Sequence, residues 1–109
     1  MGSLREVTKD DFREAVANGW VLVDVWGPAC QPCLAMMPQV EALAAERSGT
    51  ITVVKLEAPK ARRLCIELRL MGLPAFLLFR DGEEVSRLSG PSATFEALGQ
   101  WLDSHLQAA

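Results

Sequence analysis

The chain has 109 residues and a mass of 11.9 kDa, the size of one ordinary domain with little room for a second. Half of the residues are hydrophobic and 23% are charged, which suits a packed core and argues against intrinsic disorder. Lys plus Arg number 11 and Asp plus Glu 14, a net charge of −3, so the chain lacks the positive field with which a nucleic-acid binder replaces counterions.

Along the chain, strand and helix patterns alternate. Leu4 to Val7 is a short strand candidate. Asp10 to Asn18 reads as a helix, with Phe12, Ala15 and Val16 on one face and Gly19 as its stop. VLVDVW, Val21 to Trp26, is an apolar run typical of a strand buried on both faces. The next helix is expected from about Cys33 to Arg47, with Met36, Met37, Val40, Leu43 and Ala44 as its apolar stripe. Pro38 should kink it, and Ser48-Gly49 should end it. Residues 50 to 56, TITVVKL, form another β-branched strand.

Ala58 to Leu68 reads as a helix with Pro59 in its first turn and Ala61, Leu64, Cys65 and Leu68 facing inward. Ala75 to Phe79 and Glu83 to Leu88 flank Arg80-Asp81-Gly82, an Asp-Gly hairpin signal, so these two strands are expected to be antiparallel. A last helix should run from about Ala93 to Leu106, with Phe95, Leu98, Trp101, Leu102 and Leu106 as its stripe. The order βαβαβαββα predicts an α/β fold, a mixed sheet with helices on both faces.

The chemical signal is Cys30-Gln31-Pro32-Cys33, directly after the buried strand and at the start of a helix. Cysteines at i and i+3 in a first helical turn can bring their Cα atoms to ~5.5 Å, near the common disulfide separation. The helix N-terminus offers unpaired N–H groups and a positive dipole end, both of which stabilise a thiolate. Pro32 suits that turn because it has no N–H to lose. The product is one nucleophilic cysteine with a second thiol in reach to resolve a mixed disulfide. The rival reading is half of a zinc site. Zinc needs four ligands, and only Cys65 and His105, on unrelated helices, could complete the set. With three cysteines in all, a disulfide scaffold is excluded.

These residues resemble the thioredoxin family over nearly the whole chain, from Val7 to Leu106. The resemblance rests on VLVDVW leading into the cysteine pair, Pro38 five residues after Cys33, and VVKL at 53 to 56. Gly72-Leu73-Pro74 before a strand, Asp81-Gly82, and Gly90 after the final strand complete it. It implies the thioredoxin fold, a central mixed five-stranded sheet in the order β1-β3-β2-β4-β5 flanked by four helices. It implies a reductase of protein disulfides in which Cys30 attacks and Cys33 releases. It further implies a redox-active Cys30–Cys33 disulfide with no bound cofactor and no metal. The expected partners are an electron donor of the thioredoxin-reductase type and disulfide-containing protein substrates. Pro32 before the second cysteine is the choice associated with reducing members.

Further site residues follow from the same resemblance. Asp24, a lone carboxylate in an apolar strand, becomes a proton acceptor for Cys33, with Lys55 on the neighbouring strand tuning it; on its own Asp24 would read as a costly buried acid and Lys55 as a surface lysine. Pro74 becomes a cis-proline lining the substrate groove, although most X–Pro bonds are trans. Ala29, Gln31, Pro32, Gly72, Leu73, Gly90 and Pro91 would complete that groove. Three positions depart from the family pattern: Ala29 where Trp is usual, Gln31 where Gly is usual and Leu34 where a basic residue is usual. The rim has thereby lost an aromatic ring and a positive charge, and Pro91 lacks an N–H. These losses keep an alternative open, a thioredoxin-fold binding module or a partner-specific redox subunit with poor general turnover.

The remaining residues have plain readings. Cys65 is expected to pack inward, as free cysteines generally do. His105 complements the dipole in the last turn of its helix. Trp26, Met36 and Met37 should pack around the active-site helix, and Lys60, Arg62 and Arg63 form a solvated face. No apolar run approaches the ~20 residues that cross a bilayer, and the opening MGSLREVTKDDF is too charged for a signal peptide. A single cytoplasmic domain over residues 1–109, monomeric and without a membrane partner, is the expectation.

Overall fold

A computed structural model describes residues 4–108. In chain order the elements are β1 (Arg5–Val7), α1 (Phe12–Ala15), β2 (Trp20–Trp26), α2 (Gln31–Glu46) and β3 (Thr52–Glu57). A short 3₁₀ turn (Ala58–Lys60) precedes α3 (Arg62–Glu67). Then come β4 (Ala75–Arg80), β5 (Glu83–Ser89), a second 3₁₀ turn (Gly90–Ser92) and α4 (Phe95–Ala108). The five strands form one mixed sheet in the order β1-β3-β2-β4-β5. β1 and β2 both pair parallel with β3, whereas β4 runs antiparallel to β2 and to β5.

The alternation within β2 divides the core. Val21, Val23 and Val25 join Phe12, Val16, Val54, Leu56, Leu64 and Leu77 in the cluster under α1 and α3. Leu22 points the other way, into the cluster formed by Met36, Val40 and Leu43 of α2 and Leu98 and Leu102 of α4. Asp24 shares the face of Leu22.

The Asp81-Gly82 signal forms the expected hairpin, with positive φ at both residues, 51° and 89°, the pattern of a two-residue turn that matches strand twist. α1 ends at Ala15, short of Asn18, and the hairpin packs on the segment that follows it. Gly82 donates its N–H to the Val16 carbonyl, Asp81 donates to the Gly19 carbonyl, and Gly19 donates to the Asp81 carboxylate. The β4–β5 turn is thereby docked on the segment that leaves α1.

The helix expected over Ala58 to Leu68 is split. Ala61 takes φ −139° and ψ 43°, outside the helical region, while its methyl is buried against the core. Two chain ends also shift. α2 begins at Gln31 rather than Cys33 and runs through Pro38 without interruption. α4 begins at Phe95 rather than Ala93, because Thr94 caps it by accepting the Ala97 N–H at its hydroxyl. Phe95 then falls off the buried stripe and is exposed.

No helix among the described residues is long and apolar enough to cross a membrane.

Candidate active site

β2 delivers the chain into the site. After Trp26 it turns through Gly27-Pro28-Ala29 and enters α2, with Cys30 as the N-cap residue. The Cys30 backbone is extended, and its Sγ accepts the backbone N–H of Cys33 at 3.2 Å. A side-chain oxygen usually fills this role. Here a sulfur does, which fixes it at the positive end of the helix, where a thiolate is stabilised. Pro32 lies in the first turn, where a missing N–H costs nothing. Cys30 and Cys33 are joined as a disulfide with Cα atoms 5.3 Å apart. The two are unequally placed: Cys30 is half-buried, whereas Cys33 is 2% exposed.

The groove expected around the pair assembles in part from distant segments. The Leu73–Pro74 bond is cis. The buried Pro74 accepts the Gly90 N–H at 3.0 Å, which ties the loop before β4 to the turn after β5. Gly90 has φ 62°, a left-handed conformation that favours glycine. Pro91 stands exposed in that turn, as do Ala29, Gln31, Pro32 and Gly72 on the rim, and Leu73 is half-buried. A Cβ on Gly27 would lie 3.2 Å from Leu73 Cδ1 and 3.7 Å from Pro59 Cδ. The bare backbone of Gly27 therefore lets both side chains close against the loop that carries Cys30.

Some site neighbours are absent from the sequence reading. Pro59, Arg62 and Ile66 join the expected Leu73 along a shallow apolar groove on one side, and Met71, 96% exposed, borders Gly72 and Leu73. Pro32, Ala35, Ala93 and Phe95 line another. One signal existed: Ile66 is apolar yet falls off the Ala61–Leu64–Leu68 stripe. Cys65 corrects an expectation in part. It is half-buried, packing against the core cluster while also lining the first of these grooves. Burial still pushes its thiol up. Lys60, Arg62 and Arg63 are exposed, as a solvated face requires. Among the described residues no group of three or more His, Cys, Asp or Glu side chains could hold a metal ion.

Asp24 is 1% exposed on the sheet face covered by α2, near the strand end that leads to Cys30. Neither carboxylate oxygen has a hydrogen-bond partner. Burial pushes this carboxyl up to about 7, opposed by the Lys55 ammonium and assisted by the Glu6 carboxylate. Lys55 is its register neighbour on β3. An acid of this kind can exchange a proton near neutral pH, the range in which thiol–disulfide chemistry operates.

The comparisons with known proteins agree with this geometry. The thioredoxin family model matches residues 3–104. A thioredoxin of Peptoclostridium acidaminophilum is 38% identical over 105 residues, covering 94% of this chain and 96% of that protein. A thioredoxin of Acetoanaerobium sticklandii is 36% identical over 91 residues, covering 82% and 87%. The crystal structure of Chlamydomonas reinhardtii thioredoxin f2 superimposes with a TM-score of 0.86 at 25% identity, covering 94% of this chain and 96% of that one. The match takes in every strand and the whole helix that carries the disulfide, and on that ground the chain belongs to the thioredoxin family and is a thiol–disulfide oxidoreductase.

Proposed function

We propose that the chain reduces protein disulfides with Cys30 as the nucleophile, Cys33 as the resolving thiol and Asp24 as the proton acceptor for Cys33, Lys55 tuning that carboxyl. The observation that carries the order of attack is the unequal placement of the pair: Cys30 is the half-buried cap at the positive end of α2 and Cys33 is buried behind it. The reduced pair starts the cycle. The Cys30 thiolate attacks one sulfur of a substrate disulfide, forming a mixed disulfide and expelling the other substrate sulfur as a thiolate. Asp24 takes the Cys33 proton. The Cys33 thiolate then attacks Cys30 Sγ, closes the Cys30–Cys33 disulfide and releases the second substrate thiolate. Two electrons have passed to the substrate, and a dithiol donor of the thioredoxin-reductase type returns them. The backbone around Leu73–Pro74 and Gly90, with Ala29, Gln31, Pro32, Gly72 and Pro91 on the rim, holds the substrate segment during the exchange. The setting is a reducing cytoplasm, and the working form is a monomer that needs no bound cofactor.

The exposed apolar rim favours a narrower version of this reading. Leu34, 40% exposed, stands one residue beyond the pair, and Ile66, Met71 and Phe95 extend the apolar surface. Such a surface suits a substrate or donor with an apolar face beside its disulfide. Limited alkylation of the reduced protein near pH 7, read by peptide mass spectrometry, should label Cys30 before Cys33, and Cys33→Ser should accumulate mixed disulfides through Cys30. First labelling at Cys33 reverses the assignment. Turnover of insulin with a chemical reductant separates an enzyme from a binding module, which would leave the rate at that of the reductant alone.

A further inference from the structure

Three carboxyl and ammonium groups lie in one row across the sheet. Glu6 of β1 is the register partner of Lys55 on β3, and Lys55 is the register partner of Asp24 on β2. Register partners on adjacent strands put their side chains on the same face. One cation therefore stands between two acids, and it is drawn to the outer one. Lys55 Nζ is 3.9 Å from Glu6 Oε1, whereas both oxygens of Asp24 lack a hydrogen-bond partner. The other oxygen of Glu6, Oε2, accepts the Trp26 indole N–H at 3.3 Å. Lys55 Nζ lies 5.5 Å from the centre of the same indole ring, within cation–π range. Glu6 thus grips the ammonium and the ring that supports it, each with a separate oxygen.

We propose that Glu6 is a positioning residue for the thiol–disulfide site: by anchoring Lys55 and Trp26 on the outer side of the row, it sets how far the Lys55 ammonium serves as counter-ion to Asp24. The consequence is electrostatic. A lysine free to turn inward would stabilise the Asp24 carboxylate, and a lysine held by Glu6 does so only at a distance, while the Glu6 charge itself opposes ionisation of Asp24. Both influences on Asp24 act in these directions, beneath a larger effect of burial. Among the described residues Lys55 and Glu6 are the charges that act on Asp24, and Glu57, two residues along β3 on the same face, is engaged by Lys60. On this face β4 presents Phe76, α2 presents Met36, Val40 and Leu43, and α4 presents Leu98 and Leu102, and the cysteine pair at the start of α2 titrates only when reduced. The inference rests on the reading of Asp24 as the proton acceptor for its catalytic meaning, but the Glu6–Lys55–Asp24 coupling is measurable without turnover.

The test is a carboxyl-carbon NMR titration of Asp24 in the oxidised protein, comparing wild type with Glu6→Gln. The amide retains the shape of Glu6 and loses its charge. The Asp24 midpoint should fall by about half a pH unit. The same substitution in a Lys55→Met background should move it by less than half as much, since the mobile counter-ion is gone. An unmoved midpoint in Glu6→Gln overturns the inference, and so does an equal shift in both backgrounds, which would mean that Glu6 acts on Asp24 directly. In the reduced enzyme the acid limb of mixed-disulfide release should move to lower pH with the Asp24 midpoint. If Asp24→Asn leaves that pH profile unchanged, the proton-acceptor reading fails, while the titration still decides the role of Glu6.

Discussion

Burial of Asp24 carries an electrostatic cost, because it pushes the carboxyl up from an ordinary 3.8 to about 7. In the unfolded chain the same group loses its proton at the ordinary value, so between about pH 4 and 7 the unfolded state binds fewer protons than the folded one. Its contribution to stability is therefore fully present below the unfolded value and is lost as pH rises toward 7. Asp24→Asn, which cannot ionise, should stabilise the protein by roughly 2–4 kcal/mol at pH 8 and have little effect at pH 4. Urea midpoints at the two pH values read this directly; an equal gain at both would mean that ionisation is not the cause. Cys65 shows the same effect in a neutral group, a thiol whose acidity is reduced by burial and whose sulfur lies 4.0 Å from the Ala58 carbonyl. Cys65→Ala should keep full turnover and lose about 1 kcal/mol from a small cavity, and loss of turnover with an unchanged unfolding midpoint would assign the thiol a role in exchange.

At the scale of elements, the loop before Pro74 depends on a side chain from β5. Arg87 donates to the carbonyls of Leu68 and Arg69 at 2.8 and 3.2 Å and pairs with Glu84. Leu68 ends α3 and Arg69 has φ 58°, so the guanidinium holds a helix end and a left-handed residue together. Arg87→Met should cost about 1–2 kcal/mol in denaturant unfolding. It should also speed amide exchange at Gly72 and Leu73, the lip of the proposed substrate groove. Exchange unchanged at these two amides would separate the groove from the Arg87 contact. On the opposite face Arg47 of α2 meets Asp103 of α4 through two nitrogens, at distances of 2.9 to 3.1 Å. This bidentate pair braces the helix whose first turn carries the disulfide.

Across the whole molecule, stability should be graded from the sheet centre outward. β2 lies between β3 and β4 and buries both of its faces. β1 is a three-residue edge and β5 an edge with charged side chains, both features that blunt strand edges against further pairing. Hydrogen exchange should accordingly be slowest at Val21 to Val25 and Phe76 to Leu78 and fastest at Arg5 to Val7. Faster exchange in β2 than in β5 would show that the active-site strand opens independently of the hairpin.

The sequence by itself determined the alternation of strands and helices, the Asp-Gly hairpin and the position of the disulfide. These depend on local signals: apolar period, turn residues, and cysteines three residues apart at a helix start. It also marked Asp24, because a carboxylate in an apolar run stands out without any structure. Only the tertiary structure decided where α1 stops and where α3 starts, since the β4–β5 turn docks on the segment after α1 and the core takes Ala61 in a non-helical conformation. It likewise exposed Phe95 and set Cys65 at a groove as well as against the core. The row from Glu6 through Lys55 to Asp24 is set by strand register, which pairs residues 49 and 31 positions apart in the chain. No periodicity reports such a pairing, because register is fixed by how the two faces of the finished sheet are buried.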